Sequence, residues 1–464
     1  MNQPRPLLGL VPIGKFVFSH EAALEQKEKV EGLLNRMEVS YVGLDEVLPD
    51  GMVRDQAHVE PVVRHLREKG VDAIFMPHCN FGTEGACGMI GRKLDVPVLL
   101  WGPRDAAPEP DGTRRRDTLC GLFASSKVLH RLGVEFTYVE NCPVDDPILE
   151  RGIRKFLSAA NVVRGMRNMR IGKVGNRIDF FWTCITNESE LLERFDIEIQ
   201  PIDLLTVTRD TKERAIAERD AYVDEIKRLE DRLSFEGFGS IDPIVNVLAF
   251  RDQLLHLAEE EGLTAFAVES FMSICEELGA MVEFALAEVT QRGLPATTET
   301  DIHGAISSVL LQHAAGGTDP TFLADLTIRH PDRDDAVLLW HCGFPLDLAA
   351  SDSPASVGPH WILPDVPPGS CHWRLKDGPL TICRFDGSTN DYRLVAGEGK
   401  TVEGPSTQNV YAWMTVDNWP AWERTFIRGP YIHHVACTYG HHAGALREAC
   451  RYVDGLDFES PTSR

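Results

Sequence analysis

The sequence predicts an α/β protein in which two consecutive open parallel-sheet α/β domains precede a mainly antiparallel, barrel-like β domain. In residues 1–169, short apolar runs alternate with longer amphipathic stretches, a pattern typical of parallel strands joined by crossover helices. The alternation starts again at Arg170 and continues to residue 292. In residues 293–464, β-rich runs are separated by turn signals such as KDG and GEG, which indicate hairpins.

The pattern predicts the following elements in order. In the first domain we expect strands at 7–13, 39–44, 73–77 and 96–101 and helices at 21–36, 58–69, from 84 onwards and at 146–169, with a surface loop at 102–118. In the central domain we expect strands at 170–175, 197–205 and 263–268 and helices at 187–195, 209–232, 240–260 and 271–289. In the last domain we expect a helix at 303–313, β-rich runs at 321–329, 336–342, 372–385, 392–395, 409–415 and 431–439, and a closing helix at 443–452.

Composition narrows the class of protein. The 464 residues include 70 acidic and 47 basic side chains, for a formal charge of -23, which argues against nucleic acid or an anionic membrane surface as a partner. No stretch reaches the roughly 18 apolar residues of a transmembrane helix, and the N-terminus lacks the pattern of a secretory signal. The eleven cysteines form no C-x-x-C pair. We therefore expect a reduced, cytoplasmic protein.

Acidic and histidine residues at element edges are the candidates for chemistry. Glu269 follows the apolar strand AFAV, and Asp301 precedes a helix; taken alone, Glu269 is equally well an exposed turn or helix N-terminal charge, and Asp301 is better explained as an N-cap. His341 ends the apolar run AVLLWH, where a lone histidine is more often a core residue. His433 and His434 are adjacent in a predicted strand, so they point to opposite faces.

Two carboxylates and two imidazoles suit a divalent cation, Mn²⁺, Mg²⁺ or Co²⁺, better than a structural zinc. A carboxylate pair can also transfer protons, with one group as base and the other as acid. Asn80 and Glu84 lie in the turn NFGTEG after a predicted strand, a position at which open α/β sheets bind small ligands.

Four short motifs connect these residues with a known family. AVESF around Glu269, TETDIHGA around Asp301, LLWHCG around His341 and YIHHVACTYG around His433 and His434 resemble the L-fucose and L-arabinose isomerase family of metal-dependent aldose–ketose isomerases. That family has a Mn²⁺ site made by a strand-end Glu, an acidic residue about 25 to 35 positions later and a C-terminal His. The resemblance implies that Glu269, Asp301 and His434 bind the metal, and that Glu269 and Asp301 are catalytic.

His341 resembles a further ligand of the arabinose branch, so the resemblance leaves it as a ligand or as a supporting residue. The implied reaction is aldose–ketose interconversion through a cis-enediol, in which the metal polarises the sugar carbonyl. Two alternatives remain at this point. One is a sugar-binding or regulatory protein that kept the fold without turnover, and the other is a metal-dependent lyase or aldolase acting on a keto sugar acid.

The resemblance also implies a homo-oligomer, a hexamer or trimer, in which a loop of a neighbouring subunit completes the active site. The NFGTEG turn and the loop from Trp101 to Arg116 are the candidate loops. Trp101 would pack on the sugar, and Arg104 or the arginines at 114–116 would bind hydroxyls, phosphate or sulfonate. The alternative for this loop is a solvated basic surface. Which sugar binds, and whether it is charged, stays open.

Overall fold

The structure is a computed structural model that describes residues 5–167, 169–271 and 273–461. Among these residues the chain divides into two compact units, one over 5–164 and the other over 165–461. All eleven cysteines are free thiols; ten are buried and Cys120 is exposed. Over the described ranges, no helix is both long and apolar enough to cross a bilayer.

The first unit is built on a five-stranded parallel sheet in the order β2-β1-β3-β4-β5. Its elements are β1 (Leu8–Leu10), α1 (His20–Arg36), β2 (Tyr41–Val42), α2 (Val59–Glu68), β3 (Ala73–Pro77), α3 (Glu84–Leu94), β4 (Val98–Trp101), α4 (Thr118–Arg131), β5 (Thr137–Tyr138) and α5 (Pro147–Arg167). The strand order reverses between β1 and β3, so the loops after these two strands flank the crevice in which such sheets bind ligands. This confirms the first predicted parallel sheet.

The second unit begins with a four-stranded parallel sheet in the order β10-β9-β6-β7. Its elements are β6 (Arg170–Val174), α6 (Glu188–Phe195), β7 (Glu198–Ile202), α7 (Leu204–Ala217), α8 (Arg219–Leu229), β8 (Ser234–Phe235), α9 (Asp242–Glu261), β9 (Ala265–Val268), α10 (Ser273–Leu278), α11 (Glu283–Gln291) and β10 (Ala296–Thr297). The prediction of a single helix at 271–289 is wrong, because this segment forms the two helices α10 and α11. It is divided at Gly279, whose φ of +71° ends the first helix because that conformation is left-handed.

A closed, mainly antiparallel barrel follows. Its elements are α12 (Ile302–Ala315), β11 (Phe322–Arg329), β12 (Ala336–His341), β13 (Ser356–Gly358), β14 (Ser370–Arg374), β15 (Gly378–Ser388), β16 (Asp391–Val402), β17 (Val410–Thr415), α13 (Trp419–Arg428), β18 (His434–Tyr439), α14 (Ala443–Cys450) and β19 (Leu456–Glu459). The sheet order is β19-β16-β15-β18-β11-β12-β17-β14-β13-β8, and an additional pairing of β16 with β17 closes six strands into the barrel. The predicted barrel-like end of the chain is therefore confirmed.

Helix α12 links the parallel sheet to the barrel within the second unit. It packs against β9 on one side and against β15 and β18 on the other, and every residue from Ile302 to Ala315 is buried. The two sheets share one apolar core, in which Val268 of β9 and Cys437 of β18 both take part. The N-terminus of α12 therefore lies where the strand ends of both sheets meet. The boundary expected at 292/293 stays a prediction.

Candidate metal centre

Three neighbouring barrel strands bring an aspartate and two histidines together. Strand β11 lies between β12 and β18. In the antiparallel register, Asp325 of β11 lies opposite His434 of β18 and opposite Trp340 of β12, so that His341 is its next neighbour on that side. Residues that face each other across such a ladder have Cβ atoms about 5 Å apart. The register alone therefore gathers these polar side chains.

A strained turn between β10 and α12 supplies a glutamate to the same place. Glu299 and Thr300 have φ angles of +60° and +54°, a left-handed conformation that costs non-glycine residues about 1–2 kcal/mol each. The turn is fixed by its neighbours: Glu299 N donates to Ser270 Oγ at 3.3 Å, Thr300 N donates to the carbonyl of Val268 at 2.9 Å, and Thr300 Oγ1 donates to the carbonyl of Asn176 at 2.9 Å. These three hydrogen bonds hold Glu299 and Thr300 in the left-handed conformation, which their backbone would otherwise leave.

Glu299, Asp325, His341 and His434 form what we call the four-residue centre. Glu299 Oε2 lies 3.2 Å from His434 Nε2, and Glu299 Oε1 lies 4.0 Å from His341 Nε2. Asp325 Oδ1 is 3.6 Å from His434 Nε2 and 3.8 Å from His341 Nε2. The ligand atoms of Glu299, His341 and His434 all lie within 4.8 Å of one another, which a single cation can bridge. His433 approaches from the rim, with Nε2 3.9 Å from Asp325 Oδ1.

Three atoms of the centre are buried without a hydrogen-bond partner: Glu299 Oε2, Asp325 Oδ1 and His341 Nε2. Leaving a buried polar atom unpaired costs about 1–3 kcal/mol, so native structures rarely retain several at one place. Carboxylate oxygens and imidazole nitrogens are ligands that suit Mn²⁺, Mg²⁺ or Co²⁺. The residues present therefore fit a divalent cation.

His434 is oriented from behind by Asp301. His434 Nδ1 lies 2.9 Å from Asp301 Oδ2, and Asp301 also caps α12 by accepting from Gly304 N at 2.9 Å. An ionised carboxylate only accepts hydrogen bonds, so Nδ1 donates and Nε2 faces Glu299. This carboxylate–histidine arrangement is the usual support of a metal-binding imidazole.

The charges of the centre depend on one another. Burial by itself would raise the pKa of Asp301, but the charge of Arg384 and the hydrogen bond from His434 hold that pKa well below its usual range. Burial would likewise raise the pKa of Glu299, and the neighbouring His434 lowers it. For His434, burial would lower the pKa, yet the hydrogen bond to Asp301 and the nearby Cys184 and Glu299 raise it well above normal. Both carboxylates are therefore ionised around the imidazole.

His341 is held differently from His434. Its Nδ1 accepts a hydrogen bond from Cys342 N at 2.8 Å. A neutral imidazole carries one proton, so that proton is on Nε2, which faces Glu299 and Asp325. In this arrangement His341 is a hydrogen-bond donor, and direct ligation through Nε2 would require the bond from Cys342 to break.

The structure brings together Asp301, His341, His433 and His434 from the sequence-predicted site, and it leaves Glu269 apart. His434 is buried while the side chain of His433 is 50% exposed, as strand alternation predicts. Glu269 is half-buried and its Oε2 accepts a hydrogen bond from Asn176 N at 2.8 Å. Within the described ranges, Glu269 belongs to no group of side chains that could share a cation.

Glu299 and Asp325 are the functional candidates that the sequence reasoning missed. Glu299 follows the two-residue strand β10, too short to give an apolar pattern. The available signal was spacing: Asp325 lies 26 positions after Glu299, inside the interval of about 25 to 35 that the family resemblance implies for its two acids.

Asn80 and Glu84 lie at the sheet edge of the first unit, after β3. Asn80 Oδ1 accepts from Lys15 N at 2.8 Å and from Gly82 N at 3.2 Å, and Asn80 is 1% exposed. Glu84 pairs with the ammonium of Lys15 at 3.0 Å. These contacts connect the loops after β1 and β3, so both side chains have a structural task within this unit.

The loop after β4 is held by internal contacts. Trp101 is fully buried and donates from Nε1 to Cys142 Sγ at 3.4 Å, whereas Arg104 is exposed. The three arginines that follow are all ion-paired within the unit: Arg114 with Asp117 at 3.0 Å, Arg115 with Glu21 at 3.1 Å and Arg116 with Asp105 at 3.3 Å. An anionic substituent on a substrate would have to compete with these carboxylates.

Comparisons with known proteins agree at both ends of the chain. Residues 9–167 match the family model of the fucose/sulfoquinovose isomerase N-terminal domain, and residues 364–457 match that of the L-fucose isomerase C-terminal domain. A sulfoquinovose isomerase of Priestia aryabhattai is 26% identical over 403 residues, which cover 86% of each chain. A sulfoquinovose isomerase of Alkalicoccus urumqiensis is 25% identical over 320 residues, covering 68% of this chain and 69% of the relative.

The similarity to solved structures is too weak to support a statement about this chain. A periplasmic solute-binding protein of an ABC transporter from Actinobacillus succinogenes, with bound D-allose, shares 14% identity and covers 67% of this chain and 92% of its own. The TM-score is 0.18, too low to carry an argument about fold or function.

Proposed function

The chain belongs to the L-fucose isomerase-like family, and from this premise we propose that it interconverts an aldose and a ketose with the help of a divalent cation, Mn²⁺ first among the candidates. One observation carries the proposal: buried, unpartnered atoms of Glu299, Asp325 and His341 converge on the Nε2 side of His434. A protein without a ligand at this place would gain stability by pairing or replacing them.

Glu299, Asp325 and His434 would hold the cation. The hydrogen bond to Asp301 keeps one proton of His434 on Nδ1. A cation would therefore replace the other proton, on Nε2, and its binding would release that proton. The ion supplies Lewis acidity, polarising the carbonyl and hydroxyl oxygens of a bound sugar. The proposal moves the two ligand carboxylates from Glu269 and Asp301 to Glu299 and Asp325.

The two carboxyl groups of the centre would also move the protons. One removes the C2 proton of the aldose; the electron pair of that C–H bond forms the C1=C2 double bond of a cis-enediol, and O1 takes up a proton. Return of a proton to C1 and loss of the O2 proton give the ketose, and the reverse order gives the aldose. Glu299 and Asp325 lie on the same side of His434, so a substrate held there meets both.

His341 would donate from Nε2 to an oxygen within the centre. Its Nδ1 is engaged by Cys342 N, which fixes the ring while leaving the donor free. In a His341→Gln variant we expect kcat to fall by about 10²-fold while the Mn²⁺ dissociation constant changes little, since the three ligands stay. Steady-state kinetics measures the change in kcat, and Mn²⁺ titration measures the change in the dissociation constant. A large loss of Mn²⁺ affinity would mean that His341 is a metal ligand.

The proposed substrate class is a sulfonated hexose, because both relatives described above are sulfoquinovose isomerases. A neutral 6-deoxyhexose or pentose is the second candidate, and the L-fucose isomerase C-terminal match favours it. The proposal includes a homo-oligomer whose neighbouring subunit completes the site. Because the three arginines at 114–116 are ion-paired with carboxylates of their own unit, the proposal assigns them no role in substrate binding.

The test is a metal-supplemented assay of the purified protein with sulfoquinovose, L-fucose, L-arabinose and their ketoses in deuterated water. We expect ketose formation with deuterium entering the recovered aldose at C2. Activity should disappear after EDTA and return with Mn²⁺. Saturable sugar binding without turnover would favour the silent binding protein, carbon–carbon cleavage would favour the lyase or aldolase, and full activity without metal would end the metal proposal.

A further inference from the structure

A fully buried arginine lies directly behind the centre. Arg384 of β15 has no exposed surface and is among the largest side chains buried to that degree. Its guanidinium binds Asp301 with two nitrogens, at 2.5 Å to Oδ2 and 3.1 Å to Oδ1. Its Nε donates to Asp386 Oδ2 at 2.9 Å. An arginine in this environment is retained only when its charge and its donors are matched.

The contacts continue as a buried row of alternating charges. Asp386 Oδ1 lies 3.0 Å from His303 Nδ1, and Asp386 is 7% exposed. We call Asp301, Arg384, Asp386 and His303 the supporting row. Starting from His434, the row therefore leads away from the centre into the interior between α12 and β15. It lies outside the four-residue centre.

The donor inventory of the row fixes the proton positions. Arginine donates and never accepts, so both Asp301 oxygens accept from Arg384, and Oδ1 accepts from Gly304 N as well. Asp301 Oδ2 then has one further neighbour, His434 Nδ1. With the carboxylate held as an acceptor, that nitrogen has to be the donor.

We infer that Arg384 is a positioning residue for the centre: by fixing both oxygens of Asp301 as acceptors, it keeps the proton of His434 on Nδ1 and the lone pair of Nε2 directed at the cation. The inference rests on the proposed metal site. A lysine could supply the charge, but it lacks the planar fork that engages both oxygens at once. Arg384 touches neither substrate nor cation.

The experiment measures Mn²⁺ affinity of the full-length protein by electron paramagnetic resonance of free Mn²⁺, together with ¹⁵N spectra of labelled histidines in the presence of saturating Mg²⁺, a diamagnetic ion. For Arg384→Lys we expect an affinity loss of about tenfold, at the low end of what outer partners of metal ligands contribute. The Nδ1–H signal of His434 should also shift in this variant, because the carboxylate that accepts from it has lost one of its two anchors. A merely structural role would not move the Nδ1–H signal of His434.

Arg374→Lys is the matched control. Arg374 lies on β14 of the same sheet and pairs with Asp352 at 2.8 Å and Asp377 at 3.2 Å, and none of these three residues belongs to the centre or to the supporting row. We expect its Mn²⁺ affinity and histidine spectra to match the wild type. A change as large as that of Arg384→Lys would mean that any arginine loss in the barrel disturbs the centre, and would overturn the inference.

The remaining outcomes separate this inference from the proposed function. If the wild type binds no Mn²⁺, the proposed site itself fails. If the wild type binds and folded Arg384→Lys binds equally well, with unchanged His434 signals, the inference alone fails. Should Arg384→Lys not fold, Asp386→Asn decides, since it loosens the second anchor of Arg384. We expect it to weaken Mn²⁺ binding by between about two- and tenfold, and an unchanged affinity would contradict the inference.

Discussion

Two carboxylates follow neighbouring strands of the central sheet, yet their surroundings differ. Glu269 comes directly after β9, and Glu299 lies two residues beyond β10, which pairs with β9 in parallel. Glu269 is half-buried and one of its oxygens accepts from Asn176 N at 2.8 Å. Glu299 is 7% exposed, and its Oε2 has no hydrogen-bond partner although it lies 3.2 Å from His434 Nε2.

The difference shows how one strand end supports the other. Asn176 donates its N–H to Glu269 and accepts from Thr300 Oγ1 at its carbonyl. Thr300 is the second left-handed residue of the turn that presents Glu299. Glu269 therefore helps to fix the turn, and Glu299 is left for a ligand. Two strand-end acids of similar sequence context differ in whether their oxygens are already satisfied.

The largest expected effect is that of Glu299→Gln. The amide cannot act as a base and is a poorer ligand than a carboxylate, so we expect kcat to fall by 10³-fold or more, about 4 kcal/mol in activation free energy. Steady-state kinetics of both proteins at one Mn²⁺ concentration, saturating for the wild type, checks this. Circular dichroism should show an unchanged fold. A rate within tenfold of the wild type would show that Glu299 takes no part in catalysis.

Metal-dependent stabilisation is the next effect in size. A cation at 100 times its dissociation constant raises the free energy of unfolding by about 2.7 kcal/mol. We expect Mn²⁺ to raise the melting temperature of the wild type and of Glu269→Gln, but not that of Glu299→Gln, because only the last variant loses a proposed ligand. Calorimetry with and without Mn²⁺ measures this, and Ca²⁺ serves as the control ion. If Mn²⁺ raised the melting temperature of Glu299→Gln but not that of Glu269→Gln, Glu269 would be the metal ligand instead.

A smaller effect is expected for Glu269→Gln on turnover. Its side-chain oxygen still accepts from Asn176 N, so the turn around Glu299 stays in place. We expect kcat to decrease by less than about tenfold, which corresponds to about 1.4 kcal/mol. Kinetics at matched Mn²⁺ saturation provides the measurement. Abolished turnover in a folded, Mn²⁺-binding variant would show that Glu269 is catalytic after all.

The smallest effect concerns Gly175, whose φ is +75° and whose added Cβ would lie 2.5 Å from Glu269 Oε2. Gly262 has a φ of +65° with no atom within 4 Å of such a Cβ, so Gly262→Ala is the matched control for backbone strain alone. We expect Gly262→Ala to cost about 1 kcal/mol of unfolding free energy and Gly175→Ala about 1 kcal/mol more. Urea denaturation compares the two. Equal losses of unfolding free energy in the two variants would mean that the Glu269 side chain moves aside without cost.

Much of the fold was readable from local pattern. Strand β3 occupies the predicted residues 73–77, and α1 and α5 begin and end within two residues of the prediction, because amphipathic helices and buried strands have clear periods. The division between α10 and α11 was missed because the apolar pattern runs on through Gly279. Helix α4 was also missed, since it follows directly on the loop at 102–118.

The candidate site was predicted in part, for a physical reason. His341 and His434 lie at ends of long apolar strands, where the pattern makes a polar residue conspicuous. Glu299 owes its place to a turn held by Ser270, Val268 and Asn176, contacts between segments far apart in sequence. Asp301 was recognised as either an N-cap or a ligand; the N-cap is present, while the bonds to His434 and Arg384 depend on the closed barrel.

A crystal structure with Mn²⁺ would locate the ion by its anomalous scattering. We expect one anomalous peak bound by carboxylate oxygens of Glu299 and Asp325 and by Nε2 of His434 at about 2.0–2.3 Å. We also expect Asp301 to keep its hydrogen bond to Nδ1 of His434. A peak bound by Glu269, or one bound directly by Asp301, would contradict the proposed metal site.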